Sequence, residues 1–349
     1  DDIGTYRYIY QQIYSQSTTA ATGYNFGESP NAFNSIFEGQ IGNTDVSWEK
    51  ERKLNLGVDF TLFKGKLSGT VDVFDNYRFD ILTTRNRIPV IFGQTLPVVN
   101  IGEVSNKGYE IELNHRNHIG KVEYYIKGTY SVAKNKILNI DDPEPLFPWK
   151  SRTGQPIGLV AGGLYQFNGF YQDAADVAAS PKPTGGLVRP GYLKYKDLDG
   201  DGVINSNDQA FSGLPNLPQT VFGLGVGVNY KGVSFNFLFQ GAKDYNFRMQ
   251  AEAIDAFSAN LQPVHQRRWQ PGSGNSADYP ALSLTTLASG LNSARQYPSD
   301  YWSIDAWYIR LRSVELSYQL PESLISRLKL DGVRIYVNGA NLLTFSNIT

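Results

Sequence analysis

A twelve-residue stretch near the middle of the chain carries the sharpest chemistry. Asp197-Leu198-Asp199-Gly200-Asp201-Gly202-Val203-Ile204-Asn205-Ser206-Asn207-Asp208 has acids at loop positions 1, 3, 5 and 12, glycine at 6 and an apolar residue at 8. That is the spacing of a calcium loop, in which the chain winds round the ion and offers oxygens from alternate residues. Asp197, Asp199, Asp201 and Asp208 would give carboxylates and Val203 its carbonyl. Asn205 would bind directly or through water. Asp208 stands where glutamate is usual, so its reach is shorter. Four carboxylates this close repel one another without a cation between them. The expectation is one structural ion, Ca²⁺ ahead of Mg²⁺, with a solvated Asp/Gly turn as the alternative. No flanking helices are evident, so the loop is calcium-like without being an EF-hand.

The remaining candidates point away from catalysis. The three histidines are His115, His118 and His265. His115 and His118 fall three apart on a strand and face opposite ways, which is poor metal geometry; they read as surface residues. His265, beside Arg267, Arg268 and Trp269 in a long loop, reads as solvated. Arg310 and Arg312 sit on a polar strand face and should pair with neighbours there. Glu110 and Glu112 are weak grounds for glycosidase chemistry. The glycines at 154–163 and 223–227 lack the strand, loop and helix of a nucleotide fingerprint. Gly223, Gly225 and Gly227 alternate instead, as expected where backbones approach closely. With no cysteine, thiol catalysis and Cys-ligated metals are excluded. No enzyme is expected, and a net charge of −1 gives no sign of a nucleic-acid binder.

The elements that position these residues are strands. Leu54, Leu56, Val58, Phe60 and Leu62 alternate with Asn55, Gly57, Asp59 and Thr61, the two-residue period of a half-buried strand. The same alternation runs over 67–73, 109–114, 122–132, 222–230, 233–240, 309–320 and 333–337. The apolar parity shifts near Arg312-Ser313, which predicts a β-bulge there. Residues 321–330 read as a short helical connection. The outcome is eight strands in four hairpins. The connections inside hairpins are short, at 63–66, 118–121, 231–232 and 321–332. Those between hairpins are long, at 81–106, 135–218 and 241–303.

Soluble domains rarely carry structureless loops beyond about 15 residues. Short turns on one side and long loops on the other are the habit of outer-membrane barrels, whose strands alternate apolar-out and polar-in. No apolar run approaches the roughly 18 residues of a membrane helix. The aromatic content, 13% of residues, fits girdles at the membrane surfaces. Asn55, Asp59, Asp72, Glu110, Glu112, Glu123 and Lys127 would then point inward, and so many charges require a wide hydrated lumen. Eight strands alone would not make one.

Five stretches bear on family. They are Ile41 to Lys50 (IGNTDVSWEK), Asn100 to Glu110 (NIGEVSNKGYE), Gly191 to Ile204 (GYLKYKDLDGDGVI), Tyr308 to Arg312 (YIRLR) and Asn341 to Phe345 (NLLTF). In this order they resemble the SusC/RagA-type TonB-dependent transporters of the Bacteroidota outer membrane. The resemblance implies an all-β fold, residues 1–349 forming part of an antiparallel transmembrane β-barrel of about 22 strands. The plug domain and the TonB box would lie outside this chain, and residues 1–40 would end an earlier extracellular loop. Residues 135–218, with the calcium-like loop 197–208, and residues 241–303 would be extracellular. The implied activity is import of a glycan or peptide nutrient, with a SusD-like lipoprotein as lid, TonB as energy source and outer-membrane lipid around the wall. A dimer or larger complex is compatible with this. Two other readings stay open: a SusC-like barrel serving as scaffold in a larger assembly, and a soluble calcium-stabilised glycan-binding β-protein.

Overall fold

The computed structural model describes residues 8–17, 24–26, 31–33, 35–87, 96–184, 188–249, 256, 260–282, 292, 296–325, 330 and 332–348. Eight strands form one antiparallel sheet, each paired with its neighbours in sequence. They are β1 (Lys50–Leu62), β2 (Leu67–Thr84), β3 (Val98–Ile119), β4 (Val122–Asn139), β5 (Thr220–Tyr230), β6 (Val233–Arg248), β7 (Ser303–Gln319) and β8 (Arg334–Ser346). Among the described residues no helix is long and apolar enough to cross a membrane, which says nothing of strands.

The register sets the two faces. One row of partners crosses the sheet as Phe60, Gly69, Leu113, Gly128, Leu224, Phe239, Leu311 and Leu343. The adjacent row is Asp59, Thr70, Glu112, Thr129, Gly223, Gln240, Arg310 and Thr344. Successive side chains point to opposite faces, so one face is apolar along its length and the other polar. Leu56 and Val58 are 71% and 56% exposed on the apolar face.

Much of the polar face pairs within the wall, although Arg310 Nε is buried without a hydrogen-bond partner among the described residues. Lys127 meets Glu112 at 2.9 Å, Arg334 pairs with Glu315, and Arg312 donates to Gln240 at 2.7 Å. Asn55 donates to Asp72, and the Ser131 hydroxyl donates to Glu110. The Arg310 guanidinium lies 5.4 Å from the Tyr308 ring centre. The bulge is present: Leu238 faces Ser313 while Phe239 faces Leu311, leaving Arg312 as the extra residue. Gly227 is required for a reason other than the expected backbone approach. A Cβ there would stand 2.1 Å from the Tyr125 ring, which lies over it; Gly225 has no such close neighbour.

Strands extend beyond the alternation that marks them. β3 has 22 residues and β2 and β4 have 18 each, against about 10 needed for a tilted crossing. The excess lies on the long-loop side. There the outward row changes to Leu54, Asp75, Lys107 and Lys134, with Lys107 2.7 Å from Asp75. Pairing continues where the apolar band stops, so hydropathy alone ends the strands early. The long connections accordingly shrink to 85–97, 140–219 and 249–302. At the other end, the connection at 321–330 is helical over Glu322–Ile325; residues 326–329 lie outside the described set.

The chain's densest core lies in the loops. Residues from both 140–219 and 249–302 contribute Tyr165, Phe170, Tyr171, Tyr192, Leu193, Tyr195, Ile204, Trp269, Tyr279 and Trp302 to one buried cluster. Phe167–Phe170 pairs with Leu193–Tyr195, and a short helix, Ala174–Ala179, is capped by Asp173. The loops are rich in apolar contacts, and part of the aromatic content serves this core. His265 is also inside it: 3% exposed, its ring 4.5 Å from that of Tyr279, with Nδ1 accepting from the Gln262 N–H. The loop has packed its imidazole where the sequence suggested solvent.

Two outcomes test this layout. An arginine at lipid-facing Phe237 should cost about 2–4 kcal/mol at bilayer mid-depth. At lumenal Asn236, opposite Glu315, it should cost little. Folding yield in lipid vesicles, read by heat-modified gel mobility, checks the pair; equal tolerance would reverse the faces. Leu193→Ala, from a position with no exposure, should destabilise the loop unit by about 2–5 kcal/mol. Hydrogen exchange should rise in 160–210 and 265–302 while β1–β8 keep their protection.

Candidate metal loop and its setting

The acidic loop is built as a series of tight turns closed by its last residue. Asp208 has no exposed surface. Its carboxylate accepts from Leu198 N–H at 2.7 Å and from Asn205 N–H at 2.8 Å. Those two bonds fasten the two ends of the segment together. Asp197 accepts from the N–H groups of Gly200 and Gly202, each at 2.8 Å. Asp199 accepts from Asp201 N–H and from the Asn207 amide at 3.2 Å.

One oxygen from each of Asp197, Asp199 and Asp208 lies within 4.8 Å of the others. The other three candidate ligands turn to one another. Asp201 accepts from Val203 N–H at 2.7 Å, and the Asn205 amide reaches the Val203 carbonyl at 3.4 Å. Three convergent carboxylates with spare lone pairs suit a hard divalent cation. Asp201, the Val203 carbonyl and Asn205 sit one turn away, within the same loop.

The loop is anchored from behind. Trp149 donates its indole N–H to the Asn207 carbonyl at 2.7 Å, and Lys150 Nζ donates to the Ser206 carbonyl at 2.7 Å. Burial lowers the Lys150 ammonium below its usual value, and the Asp208 charge opposes that. Ile204, 1% exposed, plants the middle of the loop in the aromatic core. Immediately upstream, Gly191 has φ +83°, and a Cβ there would meet Trp269 at 2.4 Å and Ala281 at 2.5 Å. Only glycine fits that crossing. The neighbouring phenols are dry: burial pushes Tyr171 up to about 12, with the Asp176 charge adding to it. Tyr165 also rises to about 12, by burial first and then by Tyr297 and Asp208.

The sequence motif located the loop but not its supports. Trp149 and Lys150 are 47 or more residues from the loop's first acid, and neither belongs to a recognisable motif. His115 contacts Tyr124, Nε2 to hydroxyl 3.1 Å, on a face away from His118, which lies opposite Glu123. Neither histidine approaches the acidic loop in the register.

Comparison with known proteins agrees with this architecture. TonB-dependent receptor P3 of Formosa agariphila is 29% identical over 335 residues, covering 90% of this chain and 31% of that protein. TonB-dependent receptor SusC of Bacteroides thetaiotaomicron is 22% identical over 333 residues, covering 89% and 29%. Among solved structures, the RagAB peptide transporter superposes with a TM-score of 0.68 at 19% identity, over 97% of this chain and 35% of that one. The RagAB peptide importer in its closed-closed state gives 0.67 at 18% identity, over 99% and 36%. The chain spans about a third of the length of the relatives it matches. The TonB dependent receptor-like β-barrel model matches residues 10–342, and with strands, faces and loops arranged as described, the chain belongs to the TonB-dependent receptor β-barrel family.

Proposed function

We propose that this chain forms wall, lumen and outer loops of an outer-membrane importer. The observation that carries the reading is the pair of adjacent rows across the sheet, one apolar throughout and one polar or glycine throughout. An apolar outside suits lipid, and a polar inside suits a hydrated path. Likeness to SusC and to the RagAB transporter supports import of a nutrient too large for passive pores, a glycan or a peptide. TonB would supply the energy through a plug.

The loop unit supports a partner at the mouth. Its own aromatic core makes it rigid, and exposed apolar side chains such as Leu146 and Leu261, 85% and 63% exposed, suit contact with a SusD-like lipoprotein lid. In this reading the short turns face the periplasm. A cysteine at exposed Gln266 should react with an impermeant thiol reagent on whole cells, and one at Lys121 should not. The opposite pattern would invert the topology. Radiolabelled uptake of oligosaccharides and peptides, with and without the protein, tests import itself; a protein that folds but supports none would be a scaffold.

The acidic loop supports one resident cation, Ca²⁺ ahead of Mg²⁺, held by Asp197, Asp199 and Asp208, with Asp201, the Val203 carbonyl and Asn205 completing the shell. Its chemistry is structural: it cancels carboxylate repulsion and locks the turn that carries Ile204 into the core. Replacing both Asp199 and Asp201 by alanine should lower calcium affinity by at least roughly tenfold, about 1.4 kcal/mol, and loosen 197–208 while the barrel still folds. Calorimetric titration of the intact protein with CaCl₂ checks this. A wild-type protein that takes up no calcium at millimolar concentration would remove the site.

A further inference from the structure

A cavity of about 700 Å³ lies where the extracellular ends of β2, β3 and β4 meet the segment 152–162, within the roughly 300–1,000 Å³ range of ligand pockets. It opens on the polar face of the sheet. Val104, in its wall, pairs with Arg78 and Ile137 and shares the inward parity of Asn106, Glu110 and Glu112. Yet much of its lining is aliphatic, with Ile81, Val104, Ile137, Ile157 and Leu159, and Phe211 is its one aromatic side chain; charged and polar side chains such as Arg78, Glu103 and Arg152 share the wall. This is an apolar hollow in an otherwise polar lumen, beside the route cargo would take.

The hollow is built in advance. Gln155 and Gly154 are tied to Ile137 of β4 by main-chain hydrogen bonds of 2.9 and 2.8 Å. Ile157 N–H donates to the Asn135 side chain at 2.6 Å, and Asn216 N–H donates to the Gly158 carbonyl at 3.0 Å. The roof is therefore fixed at both ends.

The charged groups at the rim are already engaged. Arg78 faces Glu49 at 3.5 Å, Glu103 is held by the Tyr77 hydroxyl, and Arg152 faces Asp142 at 3.7 Å. The Asn139 amide donates to the Ile101 carbonyl and accepts from Asp141 N–H. Sugar hydroxyls would find few open partners here, and a single aromatic ring is a poor stacking platform. Aliphatic side chains would find a matching apolar surface to bury against. Gln155, whose side-chain amide makes no hydrogen bond among the described residues, stands at the rim where it can meet a peptide group.

We propose that this cavity is a cargo subsite for the aliphatic side chains of a peptide, so that the importer's substrate class is peptide. The inference rests on the import reading above.

The test uses the intact protein, purified from membranes in detergent. It is incubated with an equimolar mixture of synthetic peptides, each a central Leu, Ile, Val, Asp or Lys flanked on both sides by three alanines, together with maltoheptaose. Retained compounds are quantified by mass spectrometry. The Leu, Ile and Val peptides should be enriched at least roughly tenfold over the Asp and Lys peptides. Val104→Trp, which fills the cavity from the wall, should abolish that enrichment, and Ala161→Phe, which fills it from the roof, should do the same if the first variant folds poorly. Retention of maltoheptaose with loss on filling would make the cavity a glycan site and overturn the proposal. So would equal retention of all peptides, or no retention with filled variants that fold worse, which would mean another segment of the protein occupies the hollow. Uptake assays separate the two readings: if protein-dependent import of an oligosaccharide persists while peptide enrichment fails, only this inference falls.

Discussion

Lateral strand pairing at a fixed register is the constraint on which everything else depends. A slip of one residue between any two strands would exchange Leu113 with Glu112 or Phe239 with Gln240 and put a charge into lipid. Eight strands hold the same parity because each pairs over 11 or more positions with its neighbour. The change of parity at Arg312 is absorbed by a bulge that leaves Leu311 and Val314 both on the apolar face; the other register shifts, near Ile81, Val104 and Tyr245, lie toward the long-loop ends. Two-sided exposure follows from the same geometry. A one-layer wall has no core of its own, so its apolar side chains stay open to lipid.

The consequence is a chain whose buried centre is outside its main sheet. Membrane and water cover the two faces of the wall, so close packing of protein against protein concentrates in the loops. Phe170, Tyr171, Leu193 and Tyr195 are each at most 2% exposed, whereas the strand residues that reach such values, Thr220, Ala242 and Ala306, are small and lie toward the long-loop ends. Ordering some eighty residues of loop is costly in conformational entropy, and burial of these large side chains offsets that. The acidic turn is then a local fastening on a unit that already has a core. Its ends are joined by Asp208, its back is pinned by Trp149 and Lys150, and its centre is anchored by Ile204.

The hairpins were legible in the sequence because lipid demands strict alternation on one face. Leu54 to Leu62 and Phe222 to Tyr230 show it without interruption, and even the bulge near Arg312 left a readable change of parity. The strand extensions were not legible. Between Asp75 and Asp80, or Lys134 and Asn139, water bathes both faces and hydropathy carries no period, while hydrogen bonding to the neighbour continues. The acidic loop was legible as spacing, and Asp197, Asp199 and Asp208 do converge. That Asp201 bonds Val203 N–H was not, because a spacing rule says nothing of which oxygen a nearby amide will take. His265 was misread for a related reason. Its burial comes from Tyr279 and Gln262, and a contact to Tyr279 across a long loop leaves no local signature. The Trp and Tyr residues of 165–302 were visible as composition but pointed equally to girdles and to a core.

The distribution of charge bears on where the proposed importer could recognise cargo along such a wall. Within the lumen Glu112 is neutralised by Lys127, Glu315 by Arg334, and Asp59 and Asp72 accept from Thr70 and Asn55. Groups bound this way offer a hydrated path little specific grip, since displacing them would break a bond for each one made. A transport path benefits from that: a cargo held tightly midway would not leave. In the proposed importer discrimination would fall instead at the long-loop end, where the aliphatic hollow under 152–162 and the loop unit stand side by side. Residues 206–211 lie behind both, with Asn207 and Ser206 receiving Trp149 and Lys150, and Phe211 N–H donating to the Trp149 carbonyl at 2.9 Å while its ring lines the hollow. The metal-type turn and the cavity therefore share one support, so that fixing the turn also fixes one wall of the hollow.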